Sequence, residues 1–439
     1  MKPSGVSSRI GLLKIAALVL VMLPAAAQAQ QPPFEGAISP EPLEPREQLA
    51  QPALDGPDAI LLAPHRLLAL GLAPLLEFAV EKGLLGSGSG DVEGFKFQPG
   101  SLGAGSGLGA AVGYVVYPAP VWAGVEAGAT IKGYMQHSAF IGVRDARGSN
   151  YVRVTGAYDL DTQDEFSGLG MDIGEDQETD YRQEEIRLLG DAQYAAADRI
   201  VVGARGGYRK NNILEGENDD LTDIEDRFGG LLIPGVGVLP GISGEEGKYG
   251  QGGLFVGYDS RNDARNPDRG ALLAASFDAF RGLDDTPFDW NRFAGEFNGY
   301  LPLPDETRVI ALRLVGIHQE PQNDQALVPF YYLASLGGSN LLRSFSSFRF
   351  QDNDLLYGAA EYRRRVWAEE AGKAALDAAL FVESAGVYRD LTDNVELGDM
   401  EQSFGTELRV LVPNDVVARL GAAVGGEGVK FYIGGGGRF

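Results

Sequence analysis

The sequence predicts an all-β chain: a 16-stranded antiparallel transmembrane β-barrel with a short N-terminal helical segment. Three observations carry that prediction. From about residue 93 to Phe439, apolar and polar residues alternate in short segments cut by turn residues. The segments number sixteen, an even count of the kind a closed single-chain bacterial barrel requires. Their connections sort into short turns on one edge and long loops on the other, a division that a soluble sandwich has no reason to make. No later run of about 18 apolar residues offers a helix that could cross a bilayer instead.

Residues 1–29 read as a secretory signal peptide. Lys2, Arg9 and Lys14 precede an apolar run at 15–23, then Pro24 and the small-residue close Ala27-Gln28-Ala29. Residues 30–92 are expected on the periplasmic side. They open as an extended Pro- and Glu-rich tether (Pro32, Pro33, Pro40, Pro42, Pro45) and continue as one or two short helices over 64–70 and 74–83. Pro64 and Pro74 suit first turns and Gly83 suits a stop. The helical apolar face is broad enough to need a cover. It either packs on the periplasmic mouth of the barrel or docks on a membrane surface or partner.

The barrel spans 93–439. Its segments are 93–102, 107–117, 121–131, 133–143, 149–160, 181–195, 199–210, 249–261, 270–281, 289–303, 307–319, 354–368, 374–388, 401–413, 415–425 and 429–439. In the eighth, Leu254, Val256 and Tyr258 face one way while Asp259 and Arg261 face the other. Phe293, Phe297 and Leu301 oppose Arg292, Glu296 and Asn298; Phe404, Leu408 and Val410 oppose Ser403, Glu407 and Arg409. One face suits lipid and the other water. Long loops fall near 161–180, 211–248, 320–353 and 389–400. In the last segment Val429, Phe431, Ile433 and Phe439 share a phase opposite Lys430 and Arg438.

Composition narrows the partners. With no cysteine, disulfides and thiolate metal sites drop out. The formal charge of −24 becomes about −27 once Lys2, Arg9 and Lys14 leave with the signal, which disfavours nucleic acid. His65, His137 and His318 are scattered, without a nucleophile elbow or a metalloprotease helix, so neither an enzyme nor a cofactor or metal site is expected. Acidic runs at 161–165, 174–178 and 215–220 are solvated loop charge or loose sites for divalent cations bridging lipopolysaccharide. Glycines crowd both closing strands, at Gly100, Gly103, Gly105, Gly107 and Gly109 and at 434–437. They either soften the seam or make room for neighbouring aromatics.

The stretch Gly337-Gly338-Ser339-Asn340-Leu341-Leu342-Arg343-Ser344-Phe345 is followed by Glu361-Tyr362-Arg363 and by Phe381-Val382-Glu383-Ser384-Ala385-Gly386. This pattern resembles the loop signature of the outer-membrane assembly and translocation barrels: the BamA/TamA and two-partner-secretion type, or bacterial surface antigen, of the Omp eighty-five superfamily. The resemblance implies that Arg343 reaches from its loop into the lumen and pairs with Glu361 and Glu383, tethering the loop. Ser344 stands where the family usually has glycine, which argues against a tight positive-φ turn at that residue. Tyr258-Asp259-Ser260-Arg261-Asn262 with Pro267-Asp268-Arg269-Gly270 resembles the family's strand-turn box; Tyr258, Asp259, Arg261, Pro267 and Gly270 are given a structural role. The closing Phe431, Ile433 and Phe439 resemble the signal that hands Gram-negative barrels to their assembly machinery.

The resemblance implies a Gram-negative outer-membrane location, with membrane lipid around the barrel and the barrel assembly machinery as a partner in biogenesis. Family members that fold or secrete proteins usually carry periplasmic substrate-binding domains. The stretch before the first strand is proline-rich or helical and too short for a convincing copy. A barrel-only member is therefore expected, helping to insert or move a protein or lipid with a separate periplasmic partner. The alternative is a passive or plugged pore. A seam that opens sideways, as in assembly members, is a further expectation.

Overall fold

In a computed structural model of the full chain, the described residues are 56–81 and, apart from short turn and loop segments, 94–434. The signal peptide, the proline-rich stretch and Phe439 lie outside them. The wall strands are β1 (Gly94–Gly100), β2 (Gly109–Val116), β3 (Val121–Thr130), β4 (Met135–Arg144), β5 (Tyr151–Phe166), β6 (Thr179–Ala197), β7 (Ile200–Leu214) and β8 (Gly247–Asp259). They continue as β9 (Gly270–Gly282), β10 (Trp290–Pro302), β11 (Arg308–Pro321), β12 (Asp354–Ala368), β13 (Ala375–Tyr388), β14 (Glu401–Val412), β15 (Asp415–Gly425) and β16 (Gly428–Gly434). Each of the sixteen expected segments overlaps one of them. Each strand pairs antiparallel with the next, from β1–β2 to β15–β16. Among the described residues no ladder joins β16 to β1, so closure of the wall is not part of what these residues display.

Alternation sorts the side chains as lipid and lumen require. Leu254, Val256 and Tyr258 of β8 point out and are exposed, while Asp259 is buried inside. Leu188, Leu273, Leu301, Leu314 and Phe404 continue the exposed apolar band on other strands. Among the described residues no helix is long and apolar enough to cross a membrane.

Two loops expected at 161–180 and 211–248 are partly strand. β5 runs on to Phe166, β6 starts at Thr179 and β7 reaches Leu214, with Glu165 paired to Asp180 beyond the bulge that follows Asp161. Acidic residues in this stretch hid the strand from periodicity. Above the membrane they can face water while Phe166, Tyr181 and Ile213 turn inward. These three join Phe228 of α3 (Ile224–Phe228), Leu239, Trp290 and Phe330 in an apolar cap over the outer mouth.

The loop between β11 and β12 folds down into the lumen. A two-stranded ribbon, Ala334–Leu336 against Phe350–Asp352, forms its stem. Leu336, Leu341, Leu342, Phe345 and Phe350 pack on inward-facing Val315, Ile317, Leu355, Tyr357, Ala385 and Val387. Truncating a buried leucine typically costs about 2–5 kcal/mol, so this plug has a core of its own.

The N-terminal segment forms α1 (Gly56–Leu61) and α2 (Ala63–Glu81). Pro74 lies inside α2 instead of opening a second helix. The segment does not sit across the periplasmic mouth. Its buried stripe lies against Tyr362, Leu376, Ala378 and Leu408, whose phase is outward.

Candidate functional site: the arginine loop in the lumen

The tip of the 322–353 loop is a tight turn set by backbone geometry. Gly337 (φ +117°) and Gly338 (φ +77°) adopt conformations that side chains avoid, and a Cβ on Gly337 would collide with the Ser346 carbonyl. The Gly337 amide donates to Leu341 O (2.9 Å), the Gly338 amide to Phe345 O (3.0 Å) and the Phe345 amide to Leu342 O (3.1 Å). Leu342 takes the left-handed conformation, φ +64°; Ser344 does not. The turn that glycine would favour has moved two residues upstream, where burial of the Leu342 side chain holds it.

Arg343 hangs from this turn into a cradle built by four strands. Its Nε donates to Glu383 Oε1 (2.8 Å) and its backbone amide to Glu383 Oε2 (2.8 Å), so one carboxylate holds both main chain and side chain. Tyr357 Oη donates to the same carboxylate (2.7 Å). Arg343 Nη1 reaches Glu407 Oε2 and Tyr432 Oη, each at 3.3 Å. The guanidinium carbon lies 3.3 Å from the Phe381 ring centroid, a cation–π contact inside a buried site. Glu361 is the distant partner, at 3.8 Å from Nη1. Its hydrogen bond comes instead from Arg363 Nε, at 2.5 Å.

The register explains the cradle. Phe381 pairs with Gly405 and Tyr432 with Gly421, and a Cβ on either glycine would run into the opposing ring. Each glycine lets an aromatic lie flat on the lumen wall. Ser344 nests on Gly425, where a Cβ would strike its Oγ, and the Ser344 amide donates to Ser403 Oγ (3.1 Å). These glycines, on β14 and β15, make room for their neighbours.

A second pin holds the loop at the outer rim. Glu427, in the β15–β16 turn, accepts from Arg349 Nε (2.7 Å), from the Ser346 amide (2.9 Å) and from Ser346 Oγ (3.1 Å), with Lys430 Nζ at 3.2 Å. Burial pushes its carboxyl up, yet the bonds from Ser346 and Lys430 leave it below the usual glutamate range.

The strand-turn box sits at the opposite end. Arg261 donates through Nη2 (2.8 Å) and Nε (3.0 Å) to Asp259, and through Nη1 to Ala264 O (3.1 Å). Asn262 is tied to Asp268 in both directions. Gly270 has φ +93°, and a Cβ there would collide with Ser260 O. Tyr258 faces outward, away from this network. Pro267 O accepts from Arg363 Nη1 (3.4 Å), so Pro267, Arg363, Glu361 and Arg343 form a chain of polar contacts from the inner turn to the outer loop.

Glu407, Phe381, Tyr432, Ser403, Arg349 and Glu427 were not singled out as loop partners. Strand phase had placed Glu407 inward; only register brings it to Arg343. Of the closing residues, Phe431 and Ile433 face out and are exposed. His318 Nδ1 lies 2.7 Å from Asp354 Oδ2 with Asp390 nearby, the one such trio among the described residues with metal-ligand spacing. The Asp354 carboxylate is already bound by the Gln319 and Leu391 amides, at 2.7 and 2.8 Å, as a clamp on the loop ends would be. Beside the docked loop a polar cavity of about 590 Å³ is lined by Asp159, Glu185, Arg187, Arg205, Arg209 and Asp278, among others.

Residues 180–439 match the Omp85 superfamily domain. No curated protein sequence matches the chain. Among solved structures it is similar to BamA from Haemophilus ducreyi lacking POTRA domains 1–3, with TM-score 0.55 and 14% identity over 77% of this chain and 68% of that one. It is also similar to CdiB from Escherichia coli, with TM-score 0.50 and 12% identity over 77% of this chain and 61% of that one.

Proposed function

The chain belongs to the Omp85 superfamily of Gram-negative outer-membrane barrels, and from that premise we propose that it is a loop-plugged barrel that helps insert or translocate a protein or lipid. Superfamily members work with periplasmic partners or assembly machinery. In this reading a separate periplasmic protein delivers the client, and the barrel supplies the passage into or across the membrane. A seam between β1 and β16 that opens sideways would be the route for a client entering the bilayer.

The supporting observation is the Arg343 loop, buried in the lumen with Glu383 gripping both its backbone and its guanidinium. Removing one member of such a pair costs about 3–5 kcal/mol because a buried charge is left alone. The docked loop thus divides a conducting barrel from a closed one. In planar bilayers the purified protein should be nearly silent and Arg343→Ala should open large steps. A large stable pore that Arg343→Ala leaves unchanged defeats the plug. Normal outer-membrane protein and lipid content in cells lacking the chain defeats the assembly role.

The polar cavity beside the loop favours a second reading, a narrow pore with a fixed plug. Conductance that is steady in the wild type, with no phenotype in membrane composition, would select it.

A further inference from the structure

The α1–α2 segment is fastened to the outside of the barrel. Asp58 accepts from Arg308 Nε (2.7 Å) and Tyr362 Oη (2.9 Å), with Arg364 Nε at 3.5 Å. His65 Nε2 lies 2.5 Å from Thr406 Oγ1, which itself donates to Ala379 O (2.9 Å). Strand phase turns Arg308, Tyr362, Arg364 and Thr406 away from the lumen, since their neighbours Val309, Glu361, Arg363 and Glu407 face inward. Asp58 thus sits over β11 and β12, and His65 over β13 and β14. The segment advances across the strands, in the direction that ends at β16.

The buried positions Asp58, Leu62, His65, Ala69, Ala73 and Leu76 recur at steps of three and four, a single stripe carried through both helices. The wall beneath is shaped to receive it. Ala374, Ala378 and Ala418 are small, and Tyr362 and Thr406 are polar, on a surface that elsewhere shows leucine, valine and phenylalanine. Facing lipid, the Tyr362 hydroxyl would lack the partner that Asp58 provides, and His65 adds a second partner to the Thr406 hydroxyl beside Ala379 O.

The opposite face of the segment is as apolar as the wall. Ile60 is 83% exposed and Leu67 71%, and Leu61, Leu68, Leu70 and Phe78 are exposed with them. Arg66 and Glu77 are the charged residues on this face between 56 and 78. A helix apolar all round is covered all round. Thr406 and Ala379 stand six and four residues inside the periplasmic ends of β14 and β13, roughly 10–15 Å above the rim for a tilted strand. The exposed helix face is continuous there with exposed Leu312, Leu314, Val382 and Phe404, the lipid-facing surface of the barrel.

We propose that residues 56–81 are a belt helix embedded in the periplasmic leaflet of the outer membrane, docked sideways on β11–β15, with phospholipid acyl chains as the partner of its exposed face. The charge-poor outer face argues against a periplasmic protein as occupant. This inference rests on the outer-membrane location and not on what the barrel transports.

The absence of cysteine makes the test direct. Leu67→Cys, Leu68→Cys and Leu70→Cys in the full chain are labelled with an environment-sensitive dye. They are compared, in vesicles of phosphatidylcholine with or without doxyl-labelled acyl chains, with the wall control Leu314→Cys and the outer-loop control Asp219→Cys. Folding of each is checked by its heat-dependent gel shift, and three sites guard against one that fails. Doxyl quenching at the helix sites within about twofold of Leu314→Cys, with iodide quenching at least threefold below Asp219→Cys, is the expected result. Iodide quenching equal to that of Asp219→Cys, with no doxyl effect, overturns the proposal and leaves the face to a soluble partner.

Discussion

The two halves of the wall use the same alternating code and end in different states. From β11 to β15 part of the wall is packed on both sides: the arginine loop lies on the lumen face, and the N-terminal helices cover the part of the outer face nearer the periplasm. Alanines are frequent there, with Ala359, Ala378, Ala379 and Ala385 all buried, as in a sheet packed between layers. From β3 to β7 the inner face borders the polar cavity, and the outer face exposes Val125, Ile141, Val152, Ile186 and Leu188. The superfamily domain begins at residue 180, so it takes in the covered half whole and leaves β1–β5 unmatched. The loop, its carboxylates and its glycine seats are concentrated where the wall is most closely packed. The open half provides volume.

The sharpest way to break that contrast is to remove one charge from each half. Glu383→Ala strips the partner of both the Arg343 amide and its guanidinium. It should destabilise the docked loop by about 3–5 kcal/mol, read as loop cleavage by added protease and as a lowered Tm. Arg153→Ala breaks the 3.0 Å pair with Asp191, in which the arginine side chain is 32% exposed. It should cost no more than about 1 kcal/mol. Equal losses would mean that the loop is not anchored by its ion pair.

Next in size is the seat under the aromatic. Gly405→Ala drives a methyl group into Phe381, the ring on which Arg343 stacks. Overpacking of this kind costs about 1–3 kcal/mol and should partly undock the loop. Gly156→Ala, on β5, has nothing within 4 Å of the added Cβ and should leave loop and barrel unchanged. Protease protection of residues 339–349 in the two variants compares them directly.

How much of this was legible in the sequence follows from the range of each signal. Strand count and facing rest on neighbours two residues apart, and every expected segment meets a strand. Glu383 and Glu361 were marked by a motif, but their ranking was not, because Arg363, two residues from Glu361 on the same face, competes for it. Glu407 had the right phase and no visible partner until β13–β14 register set it near the loop. The extensions of β5–β7 were masked by acidic residues whose partners lie across the ladder. The breadth of the helical apolar face signalled a cover; that the cover is the outer wall depended on Tyr362 and Thr406, which look like ordinary strand residues.

A milder prediction concerns pH at the outer rim. Glu427 has a folded pKa below its unfolded value, so its contribution is complete above the unfolded value, near 4.3, and is lost as pH falls through the folded one. As pH falls below the unfolded value the pin on Ser346 and Arg349 should progressively release. Protease access near residues 346–349 should rise in acid in the wild type and be high at every pH in Glu427→Gln. Access that stays flat with pH in the wild type would assign the rim pin no part in docking.

The smallest effect is expected at Ser344. Glycine is the family's usual choice there, yet here the left-handed residue is Leu342, so Ser344→Gly removes no strain. The bond that matters, from the residue 344 amide to Ser403 Oγ, survives the change. What is lost is the contact of the serine side chain with Gly425 and some stiffness of the unfolded loop. A loss of about 1 kcal/mol or less in loop protection is expected, well below that of Glu383→Ala. A gain in stability would mean that the serine strains the turn. The covered half would then have kept its loop against a local cost, with the Arg343 cradle making up the difference.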